Sequence, residues 1–186
     1  LAAAPGKAAS SDEGARVGTF AGRVRAAHLA VVVGVSDRSA YEATLPFSDR
    51  SRRRDAVRRH AGLLRGLGLG MFRDARHELL GQRIDALHPQ RSEACEGGIF
   101  TSTASASGHW VRVDGWAREP GTAGVPPLLL TGPAGFVIGL GEPLRHALPG
   151  FEDGEHRFLA WRQAVPGGEV WAVLADGSAC RVAAWG

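Results

Sequence analysis

The chain has no asparagine and a single lysine, Lys7, in 186 residues. Without asparagine no Asn-X-Ser/Thr acceptor exists, which excludes N-glycosylation. With one lysine, 21 of the 22 basic side chains are arginine. That bias points to GC-rich coding more than to a surface selected for nucleic acid. No long apolar run is present either. The longest aliphatic stretch, Leu29 to Val35, falls far short of the roughly 20 residues a membrane-spanning helix needs. Residues 1–15 lack the charged start and apolar core of a signal peptide and have the composition of a linker. The chain begins at Leu1, which suggests a processed N-terminus or a fragment of something longer.

What is present is unevenly distributed. All five tryptophans (Trp110, Trp116, Trp161, Trp171, Trp185) and both cysteines (Cys95, Cys180) lie in the second half. Residues 1–90 carry 15 Lys+Arg against 9 Asp+Glu, whereas residues 91–186 carry 7 against 10. The halves differ in sign, as expected of two modules. Two cysteines alone cannot build a structural zinc site, which takes four ligands. Their placement at either end of the C-terminal segment suggests a disulfide and an oxidising compartment. The alternative is two buried free thiols.

Hydrophobic spacing divides the chain further. Val17, Phe20, Val24, Ala27 and Val31 recur at helical intervals and predict a helix over 16–33, ended by Gly34. A short helix over 37–44 should stop before Pro46. Ser48 or Asp49 then caps an Arg-rich helix over 49–66, broken by the GLGLG run from Gly66 to Gly70. From about Cys95 the period falls to two. Strands are expected near 97–104, 109–117, 127–131, 135–140, 156–163, 169–175 and 179–184, separated by Gly- and Pro-containing turns. The expected fold is α+β: a linker (1–15), an N-terminal helical region (16–91), and an antiparallel β-sandwich or jelly-roll-like domain (92–186).

Catalytic signatures are missing. The glycine clusters complete neither a GxGxxG nor a P-loop, and no GxSxG or HExxH occurs. His109 and Asp114 would need the fold to bring them together, and chance explains the pair better. Glu152, Asp153 and Glu155 lack calcium-loop spacing and suit a solvated turn. No catalytic residue, metal ligand or cofactor is assigned. The basic stretch Arg50–Arg59 has no interleaved aromatics. It reads foremost as a solvated helix face, next as a contact for an anionic membrane surface, and not as a specific nucleic-acid site.

The tryptophans are the better lead. Trp110, Arg112, Asp114 and Trp116 alternate onto one face of a regular strand. A face with Trp, Arg and Asp can stack on a sugar ring and hydrogen-bond its hydroxyls. The candidate ligand-binding residues are Trp116, Trp161, Arg112, Asp114 and Arg162. The competing reading places most of the tryptophans in the core.

Several stretches carry a resemblance. They are Gly34-Val35-Ser36-Asp37, the Arg-rich helix running into Leu67-Gly68-Leu69-Gly70-Met71-Phe72, Cys95-Glu96-Gly97, Val113-Asp114-Gly115-Trp116-Ala117, Gly135 to Gly141, and Val173 to Cys180. The chain resembles the C-terminal tail that follows the last membrane span in bacterial polytopic, lipid-sugar-dependent glycosyltransferases. The resemblance implies a non-catalytic domain outside the cytoplasm, tethered through its parent protein to the inner membrane in the periplasm. It would recognise glycan or position the transferase, and its partner would be the membrane part of the same protein. In that family the catalytic carboxylates sit in membrane-proximal loops. No such loop occurs here, so none carries over. A purely structural or protein-docking domain is the alternative, and a small hydrolase or transferase with a fold-assembled site the third.

Overall fold

The computed structural model describes residue 24 and residues 26–35, 37, 59, 61–69, 72–73, 75–93, 95–122, 124–144 and 156–186. The expected linker, the helix over 37–44 apart from Asp37, the acidic turn at Glu152–Glu155 and Arg50–Arg58 lie outside these residues.

Eight strands form one mixed sheet. They are β1 (Arg91–Ser92), β2 (Glu96–Ala104), β3 (Trp110–Arg118), β4 (Leu128–Thr131), β5 (Val137–Pro143), β6 (Arg157–Gln163), β7 (Gly168–Val173) and β8 (Ala179–Trp185). Their order is β1-β8-β7-β4-β5-β6-β3-β2. The seven expected strands are all present within a few residues. The expected antiparallel sandwich is not: there is one curled sheet, and β1, the strand not anticipated, pairs parallel to β8. At two residues, β1 is too short to leave a periodic signal.

The curl closes where β2 meets β8. A Cβ added to Gly97 would lie 2.1 Å from Val182 Cγ1, so only glycine lets the two approach. Cys95 and Cys180 are disulfide-bonded across the same closure, with Cα atoms 5.8 Å apart, within the ordinary range. The enclosed side holds Val113, Leu128, Leu130, Phe158, Val170, Ala172 and Cys180, all fully buried. Gly115 makes room for Phe158, whose Cζ lies 2.5 Å from where a Cβ would stand.

Part of the outer side is buried too, by helix. Residues 26–33 form α1, which ends at Gly34 (φ 91°), with Val35 N–H donating to Ala30 O at 2.8 Å. This is a left-handed helix cap. Leu29, Ala30 and Val33 of α1 pack with Leu129, Leu140, Leu159 and Trp161 of the sheet. Helix and sheet thus share one core. β4, with all four residues buried, reads as an unbroken apolar run because it is covered on both faces. Residues 61–67 form α2. It runs through Gly66 and ends at Gly68 (φ 62°), where Leu69 N–H donates to Leu64 O at 2.9 Å. A 3-10 turn (Ala75–Leu79) and a short helix α3 (Ile84–Leu87) follow. Among the described residues no helix is long and apolar enough to cross a membrane.

Candidate functional site

Strand β3 sits between β2 and β6, and its alternation decides what faces out. Val113 and Ala117 point into the enclosed core. Trp110, Arg112, Asp114 and Trp116 therefore share the outer face. Register places Gly98 and Arg157 on either side of Trp116, and Thr101 and Leu159 on either side of Asp114. A Cβ at Gly98 would lie 3.1 Å from Trp116 Nε1. The indole edge thus rests over bare backbone and remains partly exposed.

A bulge enlarges this face. The β2–β3 register shifts between Ile99 and Thr101, which leaves Phe100 unpaired in the ladder. Phe100 is 49% exposed, and the Arg157 guanidinium stands 5.4 Å over its ring. Arg112 Nη2 donates to Asp114 Oδ1 at 2.9 Å. Among the described residues, no acceptor meets the buried Arg112 Nε. Thr101 and Thr103 lie exposed alongside. Two partly exposed aromatics, an arginine–aspartate pair and two hydroxyls thus occupy one surface of β2, β3 and β6.

Three of the five sequence candidates, Trp116, Arg112 and Asp114, belong to this surface. Trp161 and Arg162 do not. Trp161 shares the outer face but lies under α1, only 6% exposed, with its indole N–H donating to Ala26 O at 3.0 Å. Arg162 falls on the enclosed face and is buried, its guanidinium 4.2 Å over the Trp185 ring. Of the other tryptophans, Trp110 packs against the α1 core, and Trp171 does the same while donating to Thr131 Oγ1 at 3.2 Å. Arg91 stacks on Trp171 at 4.4 Å. Sequence reasoning missed Phe100, Arg157, Thr101 and Thr103. The one available signal was Ile99-Phe100-Thr101, where the apolar alternation slips by a residue.

One further polar cluster ties helix to sheet. Asp37, buried beyond the end of α1, accepts from Ser107 Oγ at 2.7 Å, in the β2–β3 turn. Burial pushes its pKa up, but hydrogen bonds from Ser105 and Ser107 and the nearby His109 outweigh this and hold it below the usual carboxylate value. Ser107 bonds the carboxylate, so the cluster is a latch between α1 and the hairpin rather than a serine activated by histidine. His109 and Asp114 are on different parts of the hairpin, one in its turn and one in mid-strand. Among the described residues no group of three or more His, Cys, Asp or Glu is placed to hold a metal ion.

No protein-family model, curated protein or solved structure matches the chain.

Proposed function

We propose that this chain is a non-catalytic accessory domain that works outside the cytoplasm and binds glycan on the outer face of β2, β3 and β6. The observation that carries the reading is Trp116: a partly exposed indole over Gly98, flanked by Phe100 and the Arg112–Asp114 pair. Ring CH groups stack on such aromatics while polar neighbours fix the hydroxyls. The Cys95–Cys180 bond fits an oxidising compartment. A stacking aromatic contributes only about 0.5–1.5 kcal/mol beyond the area it buries, and a short glycan held by a few such contacts should bind at roughly millimolar to high-micromolar Kd.

Titration of envelope oligosaccharides against intrinsic fluorescence tests this. Trp116→Ala and Phe100→Ala should each weaken binding severalfold while unfolding at nearly the wild-type temperature. No binding by the wild type, or binding unchanged in both variants, refutes the glycan face.

A second reading has its own observation. Leu63 and Leu67, one turn apart on α2, are 60% and 61% exposed, and Leu69 is 51% exposed. Such an apolar stripe suits docking onto another protein surface, with the membrane part of a parent protein as the partner. Loss of association on Leu63→Glu, with glycan binding retained, would separate the two surfaces.

A further inference from the structure

We propose that the enclosed side of the curled sheet, at the ends of β6 and β8, binds a small ligand bearing an oxyanion group, carboxylate or phosphate, through Arg162 and Trp185. The proposal does not depend on the glycan reading, which concerns the opposite face of β6.

Arg162 is only 6% exposed and faces inward, in register with Val111 and Gly139. Gly139 is what admits it: an added Cβ there would stand 2.7 Å from both Arg162 Cα and Cβ. Gly168 does the same for Trp185, whose Cζ2 lies 2.3 Å from where its Cβ would be. Two bare positions thus let a guanidinium and an indole stack at 4.2 Å inside the curl.

Among the described residues, no carboxylate balances the charge of this pair. Arg162 Nη1 donates to Gln163 O at 2.9 Å and Val165 O at 3.2 Å, both neutral carbonyls. The carboxylates of the neighbouring strands, Asp114, Glu142 and Glu169, alternate onto the outer face. There they pair with Arg112, Arg76 and Arg181. Among the described residues no acceptor meets Arg162 Nε or Trp185 Nε1, although both atoms are buried. Burial lowers the Arg162 pKa from its ordinary value, yet an arginine stays protonated. A buried cation without a counter-charge is costly, and stacking on an aromatic face offsets only part of that cost. An oxyanion supplies both what the charge lacks and an acceptor for the two unmet N–H groups.

The test uses the full chain and two probes, inorganic phosphate and acetate, at constant ionic strength with chloride as reference. Thermal unfolding and the 15N signal of Arg162 Nε are read together. The expected result is a saturable rise in Tm and a shifted Nε signal for the wild type, with no rise in Arg162→Met. Trp185→Phe keeps the ring but removes the N–H, and should weaken the apparent Kd about tenfold. That variant decides the matter if Arg162→Met does not fold. Stabilisation by neither probe overturns the proposal. So does a rise that persists unchanged in Arg162→Met, or in Trp185→Phe where the first variant fails; the result would then be an adventitious ion only.

Discussion

Reducing the Cys95–Cys180 bond tests how the curl is held. The two residues are separated by 85 positions, and their Cα atoms lie 5.8 Å apart across the closure of β2 onto β8. In the chain-entropy description, removing a cross-link over a loop of this length frees the unfolded chain by about 4–5 kcal/mol. Reduction leaves both sulfur atoms in place, so the buried Cys180 opens no cavity. The loss therefore measures the cross-link and not core packing. At roughly 2–4 °C per kcal/mol for a chain of this size, the unfolding temperature should fall by about 8–20 °C. Scanning calorimetry with and without a phosphine reductant reads the change directly. Alkylation and mass spectrometry confirm the thiol state before each scan. A fall under about 3 °C, with complete reduction verified, would refute the reasoning: the closure would then be held by the Gly97–Val182 approach and its neighbours. Two alkylatable thiols in protein exported to an oxidising compartment would refute the bond itself.

Trp161→Ala should destabilise by about 3–5 kcal/mol, because it empties a large site under α1 and removes the indole N–H donated to Ala26 O. Urea unfolding measures it, and a loss under about 1 kcal/mol would show that α1 does not depend on this contact. Asp37 has a folded-state pKa below its unfolded value, so its contribution is present above the unfolded value near 3.8 and is lost as pH falls through the folded one. Asp37→Asn should accordingly lower stability at pH 7 and flatten the pH dependence below about pH 4. Identical pH profiles for variant and wild type would dismiss the latch between α1 and the β2–β3 turn.

The strands and their turns are legible in local sequence. Period-two alternation and Gly or Pro punctuation are local signals, and seven strands from β2 to β8 follow them closely. The sequence also shows which cysteines could pair, since only two exist, and that Gly34 ends α1, because a left-handed cap is a property of one residue. How the strands assemble depends on contacts between distant parts of the chain. A single curled sheet and a two-sheet sandwich bury the same alternating residues, so the pattern cannot tell them apart. The difference rests on β2 approaching β8 at Gly97, a contact between residues far apart in the chain. The candidate surface was half legible for the same reason. Alternation placed Arg112, Asp114 and Trp116 on one face of β3. It could not show that α1 would cover Trp161, which shares that face, or that the curl would enclose Arg162. Nor could it place Phe100, which reaches the surface because a bulge gives it no partner. Which face of a strand meets solvent is set by what packs against it, and that partner lies more than a hundred residues away in the case of Ala26 and Trp161.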